Sequence, residues 1–239
     1  LGGGNAVSVA ELVFGQMIAL VRHTHEANRA VKENRWSDYL KFIGSELAGK
    51  TLGIIGMGNI GARMALRARA FEMNFLVYDP YIPESHVTAL GGKWVSLHEL
   101  LADSDFVTIH CPLNRETRGI VGQKGLALMK PSAFLLNAAR GGIVDEDALC
   151  RVLQQKKIAG AALDVIADEP PAKDHPEKSG NDTIIIGHSL PLIANASCGY
   201  LGLSLKPGEV REMLERERFD LIHYHGGGLL EFQIVEHSD

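Results

Sequence analysis

LAGKTLGIIGMGNIG, residues 47–61, contains a short apolar run from Leu52 to Ile55 that breaks into glycines and is followed at once by ARMALRARAF, apolar at helical spacing. A buried strand that turns through glycines into a helix has the local order of a phosphate-cradling loop. The glycines, Gly56, Gly58 and Gly61, fit G-x-G-x-x-G with Met57, Asn59 and Ile60 between them. Without a Cβ they permit a tight turn and let backbone approach a pyrophosphate, whose charge meets the N-terminus of the following helix. The pattern alone is weak, and its surroundings supply most of its weight. The next strand-like stretch, NFLVYD, ends on Asp79, 18 residues past Gly61. An acidic side chain there takes the adenosine ribose hydroxyls and repels a 2'-phosphate, which favours NAD over NADP.

Outward from this unit, strand-like and helix-like stretches alternate. SLHELLAD reads as helix, DFVTIHC and AFLLNAA as strands, DEDALCRVLQQKK as helix, and AGAALDVI and TIIIGH as strands. The strands are continuously apolar, as expected where helices cover both faces of a sheet. The ordering predicts an α/β fold, a Rossmann-type doubly wound parallel sheet with helices on both faces. Ahead of it, from Ala6 to about Glu33, the positions Val9, Leu12, Val13, Met17, Leu20, Val21, Ala27 and Val31 recur at helical period, predicting one long helix or two abutting ones.

The chain has 239 residues, 46% hydrophobic and 22% charged, which suits a globular protein with a real core. Its formal net charge is -5, with Lys and Arg scattered, so no basic surface is offered to nucleic acid or to an anionic membrane. The cysteines Cys111, Cys150 and Cys198 are odd in number and widely spaced, which argues against a disulfide or zinc framework and for a reducing, cytoplasmic setting. No metal is expected. No apolar run reaches membrane-spanning length. The chain opens on Leu1 rather than Met, which suggests a start further upstream.

Chemically competent groups follow three of the strands, at the carboxyl edge where doubly wound sheets bind ligands. Asn137 to Gly142 follow a buried strand at its carboxyl end and carry Arg140; AALDVIADEP places Asp164 at a strand end and Glu169 just beyond; TIIIGH ends on His188. Asp145 reads as the N-cap of the next helix. An imidazole at a strand end can be a loop residue, a hydrogen-bonded core residue or an acid/base group. His23, His25, His98, His110 and His175 lack a comparable setting and read as surface or structural residues.

ELAGKTLGIIGMGNIGARMA, VYDPY, FVTIHCPLNRETRGIV, ALMKPSAFLLNAARGGIVDEDAL and IAGAALDVIADEP occur in order between about Asn5 and Glu169. Together they resemble the NAD-binding domain of the D-isomer-specific 2-hydroxyacid dehydrogenases, the family that includes phosphoglycerate dehydrogenases and glyoxylate/hydroxypyruvate reductases. The resemblance implies NAD-dependent interconversion of D-2-hydroxy acids and 2-keto acids. It implies that Arg140 clamps and polarises the keto acid. It also implies that Glu169 pairs with a histidine 19 residues later, which is His188, the proton donor to the carbonyl oxygen. Asp164 then holds the nicotinamide carboxamide, and Cys111, Pro112, Thr117, Ala138 and Ala139 line the cofactor beside Gly56, Gly58, Asn59, Ile60, Gly61, Asp79, Arg140 and His188. The leading helix resembles the family's dimer-forming segment, which implies a homodimer. Dehydrogenases of this family also carry a substrate domain of about 100 residues, which is expected to be missing from these 239 residues.

The family pattern stops at His188, followed here by Ser189-Leu190-Pro191. The division expected is residues 1–188 as the NAD-binding domain and 189–239 as an atypical helix-strand tail, whose LSLKPGEVREMLERERFDLIHYH weakly resembles the N-terminal domain of GT-B glycosyltransferases. Two alternatives to a dehydrogenase stand: a non-catalytic, corepressor-like NAD(H)-binding dimerisation module, and a glycosyltransferase fragment.

Overall fold

In a computed structural model, residues 5–167 are described, together with the backbone of 184–186. They begin with α1 (Ala6–Arg22) and α2 (Thr24–Lys32). The helical period of the sequence runs on through both, yet the helix breaks at His23, whose φ of 52° is left-handed, and the two axes differ by 61°. Among the described residues no single helix is long and apolar enough to cross a membrane. A 3-10 segment, Trp36–Phe42, leads into β1 (Thr51–Ile55) and α3 (Asn59–Ala70). There follow β2 (Asn74–Tyr78), α4 (Glu84–Ala89), β3 (Lys93–Trp94), α5 (Leu97–Asp103), β4 (Phe106–Ile109), α6 (Gln123–Leu126), β5 (Phe134–Asn137), α7 (Glu146–Gln154), β6 (Gly160–Leu163) and β7 (Ile184–Ile186).

The strands form one sheet in the order β3-β2-β1-β4-β5-β6-β7, every pair parallel. The order reverses direction between β1 and β4, which opens a crevice at the carboxyl ends of those two strands. Strand side chains alternate between faces, but both faces are apolar. Ile54, Phe106, Leu136 and Ala162 pack with α1 and α3, while Ile55, Val107, Leu135 and Ala161 pack with α5 and α7. Helix α3 buries Gly61, Met64, Ala65 and Ala68, and α7 buries Ala148, Leu149, Val152 and Leu153, each a single stripe at helical period.

Helix starts are marked in the sequence. Ser96 and Glu99 form a capping box on α5, and the Asp145 side chain accepts the Ala148 amide at 2.9 Å, the N-cap expected for α7. At the opposite, amino edge of the sheet, Asp105 accepts the Thr51 amide at 2.9 Å and pairs with Lys130 at 3.0 Å, fixing β1 against β4. The helix-strand tail expected from residue 189 lies outside the described residues.

Candidate functional site

The crevice is built by the turns that leave β1, β2, β4, β5 and β6. Gly56 has φ +92°, and a Cβ on it would stand 2.8 Å from the Cys111 nitrogen and 2.9 Å from the His110 carbonyl carbon. Glycine is therefore required both by the backbone conformation and by the close approach of the β4 exit. A Cβ on Gly61 would run into the Gly56 carbonyl oxygen, so the third glycine lets α3 sit tightly on the loop. Gly58 differs: it is exposed at the start of α3, and a Cβ there would meet nothing within 4 Å. The middle glycine thus keeps clear the space in front of the helix N-terminus, where a pyrophosphate needs close backbone approach.

Asp79, just past the end of β2, ties this loop to its neighbour. One carboxylate oxygen accepts the Met57 amide at 2.8 Å and the other accepts the Tyr81 amide at 2.9 Å. An ionised carboxylate has about four acceptor positions, so two remain for ribose hydroxyls. Trp94 donates its indole N–H to the Asp79 carbonyl at 2.9 Å, which fixes the turn from the sheet edge. The glycine cradle, the helix N-terminus and the carboxylate acceptor fit the pyrophosphate and adenosine ribose of NAD.

The β4 exit forms the other wall of the crevice. The His110 amide donates to the Ile55 carbonyl at 2.7 Å, and Cys111 packs on the glycine turn. Burial pushes the Cys111 thiol up to about 11, so it is a neutral, apolar lining group at physiological pH. His110 is the structural residue that the sequence allowed, half-buried: Nε2 lies 2.9 Å from the Thr108 hydroxyl, and Nδ1 is enclosed with no hydrogen-bond partner among the described residues. Burial lowers its pKa to about 3, so it is held neutral. Beyond Pro112, the Asn114 side chain accepts the amides of Glu116 and Thr117 at 2.8 and 3.0 Å, and the Thr117 hydroxyl donates to the Pro112 carbonyl at 2.6 Å.

At the β5 exit, Asn137 is 1% exposed and clamps the turn that bears Arg140. Its oxygen accepts the Ala139 amide at 3.1 Å and its nitrogen donates to the Arg140 carbonyl at 2.9 Å. Ala138 and Ala139 are buried, whereas Arg140 is exposed, with Nη1 2.5 Å from the Ala139 carbonyl. A Cβ on Gly141 would strike the Ile166 carbonyl, so the Arg140 turn lies directly against the chain leaving β6. Asp164 is the first residue of that exit, its amide donating to the Asn137 carbonyl at 2.9 Å. Two residues after Val165, the Ala167 amide donates to the Glu146 carboxylate at 2.7 Å. Strand β7 pairs with β6, Ile186 opposite Leu163. Arg140 and Asp164 are thus brought to one edge of the sheet with the glycine loop, while Glu169 and His188 lie outside the described residues.

The profile of the family described as "D-isomer specific 2-hydroxyacid dehydrogenase, NAD binding domain" matches residues 14–189. The chain belongs to the D-isomer-specific 2-hydroxyacid dehydrogenase family. Among curated relatives, D-3-phosphoglycerate dehydrogenase of Archaeoglobus fulgidus is 45% identical over 174 residues, which are 73% of this chain and 33% of that protein. This chain therefore spans about a third of the length of the curated relatives it matches. D-Lactate dehydrogenase of Aquifex aeolicus, solved with NAD and lactic acid, has a TM-score of 0.71 and 34% identity over 78% of this chain and 60% of its own. An acyclic imino acid reductase solved with NADPH and D-Arg has a TM-score of 0.70 and 34% identity over 77% of this chain and 57% of its own. Family membership makes this region an NAD-binding domain.

Sequence reasoning passed over Asn137, Glu146, Tyr81 and Glu116. Asn137 had a signal, an amide directly before the arginine turn. The other three act through contacts that sequence spacing does not reveal.

Proposed function

We propose that this chain supplies the nucleotide-binding and catalytic edge of an NAD-dependent oxidoreductase that interconverts D-2-hydroxy acids and 2-keto acids. The observation that supports this reading most is the placing of the glycine cradle, Asp79, Arg140 and Asp164 along one carboxyl edge, on both sides of the β1/β4 crevice. When bound, NADH supplies the hydride for the carbonyl carbon. The protein's part is binding, orientation and proton delivery.

Arg140 offers a planar fork of donors to the substrate carboxylate and polarises the adjacent carbonyl. His188, as imidazolium, gives the proton to the carbonyl oxygen, and in the reverse direction its neutral form takes that proton back. Glu169 holds the ring in one tautomer and stabilises its charged form. Asp164 orients the cofactor's carboxamide, and the backbone around Ala138, Ala139, Cys111 and Pro112, closed by Thr117, lines the groove. Mutation tests the assignment: Arg140→Ala lowers kcat/KM for 2-keto acids by roughly a hundredfold or more, the scale of losing a charge-assisted clamp, while NADH binding persists. NADH binding by wild type with no oxidation of any 2-hydroxy acid marks the non-catalytic NAD(H)-binding module instead, and unchanged turnover in Arg140→Ala removes Arg140 from the catalytic set.

A homodimer forms part of the same proposal. Trp36, Tyr39, Leu40 and Ile43, on and just after the 3-10 segment, are 72%, 62%, 61% and 73% exposed, large apolar side chains more suited to an interface than to water. A cytoplasmic location is proposed from the cysteine usage.

A further inference from the structure

The cofactor reading leaves one long-range contact unused. The Tyr81 hydroxyl donates to the Glu116 carboxylate across 35 residues of sequence. Tyr81 follows β2 two residues after Asp79, and Glu116 stands in the turn after β4. The contact therefore joins the exits of the strands on either side of β1, across the end of the crevice where Asp79 stands. Both partners are held from behind: the Tyr81 amide is fixed on Asp79, and the Glu116 amide is fixed on Asn114. The Tyr81 hydroxyl is pushed above the usual tyrosine range first by the hydrogen bond to Glu116 and next by that carboxylate's negative charge, with Asp79 the smallest contribution.

We propose that Glu116, anchored by Tyr81, is a second carboxylate at the adenosine end of the cofactor groove and shares with Asp79 the exclusion of a 2'-phosphate. This rests on the reading of Asp79 as the ribose acceptor. The solved neighbours include one holding NAD and one holding NADPH, so the fold admits both cofactors and the choice falls to side chains at this end. Two fixed negative charges raise the electrostatic penalty for a phosphate dianion, whereas the uncharged diol of NAD meets only acceptors. The Tyr81–Glu116 bond fixes the position of this exposed carboxylate relative to Asp79, two residues before Tyr81.

Binding of NADH and NADPH to the full chain, measured by calorimetry at low and high salt, tests this in wild type, Asp79→Ser, Glu116→Gln and Tyr81→Phe. The proposal expects Glu116→Gln to improve NADPH affinity relative to NADH by roughly threefold, the scale of a solvent-exposed charge pair. It also expects that gain to shrink at high salt. Tyr81→Phe moves the ratio the same way by less. A spectroscopic readout accompanies binding: tyrosinate absorbance assigned with Tyr81→Phe shows the Tyr81 pKa falling in Glu116→Gln. If Asp79→Ser relaxes discrimination and Glu116→Gln leaves the ratio unchanged at both salts, the role of Glu116 is overturned and the ribose reading stands. If Asp79→Ser leaves the ratio unchanged as well, or wild type takes NADPH as readily as NADH, the ribose reading itself fails and Glu116 falls with it.

Discussion

The Ala167 amide donates to the Glu146 carboxylate at 2.7 Å, so the first turn of α7 holds the chain as it leaves β6. Gly141, packed on Ile166 one residue earlier, makes the same connection from the Arg140 side. Through these two contacts the turn bearing Arg140 and the exit of β6 behave as one unit. Removing the acceptor by Glu146→Ala should cost about 1 kcal/mol, because a charge-assisted bond is lost in a place that water partly reaches. Urea unfolding checks the cost, and hydrogen exchange checks the site: protection of the Ala167 amide should fall while that of β1 and β4 is kept.

Acid sensitivity should reside partly in His110. Its folded pKa, near 3, is depressed from 6.5 by burial, so the folded state prefers the neutral ring and the unfolded chain binds the proton first. The sign follows: the contribution is fully present above pH 6.5 and is lost as pH falls towards 3, at up to about 1.4 kcal/mol per pH unit. Denaturant unfolding between pH 7 and pH 4 should show a shallower decline in His110→Asn than in wild type. Parallel curves for the two proteins contradict the assignment.

Gly61→Ala should destabilise the fold by about 1–3 kcal/mol, since its Cβ meets the Gly56 carbonyl, a backbone atom that cannot step aside. Thermal unfolding reads this directly, with no cofactor added. A melting temperature equal to wild type would mean that α3 does not pack on the loop as described.

Light scattering tests the interface. Wild type is expected at the mass of two chains, and Trp36→Glu with Ile43→Glu, both changes at highly exposed positions, is expected at the mass of one while keeping its melting cooperativity. A monomeric wild type removes the dimer proposal.

The sheet was legible in sequence because its strands are mostly apolar runs, LGII, FVTI, FLLN and GAAL, with only Thr108 and Asn137 polar among them. Strand β3 was not, since Lys93 and Trp94 are exposed and too few to form a pattern. Nor was the break at His23, where apolar residues keep helical period on both sides and only the left-handed backbone marks the bend. Asp79 and Arg140 were readable from their distance to the glycines and to a strand end. The Tyr81–Glu116 and Glu146–Ala167 contacts were not, because only the parallel topology brings together residues 35 and 21 apart. Glu169 and His188 rest on family spacing and lie outside the described residues.

Gly58 separates cofactor binding from folding. A side chain there meets no protein atom within 4 Å, and its φ of -73° suits any residue, so Gly58→Asp should melt like wild type while placing a carboxylate where the pyrophosphate needs to approach. Calorimetric titration of NADH into the two proteins tests whether the glycine loop holds the cofactor. Saturable binding of one NADH per chain is expected for wild type and none for Gly58→Asp at equal melting temperature. No binding by wild type, or equal binding by both, would contradict that role for the loop.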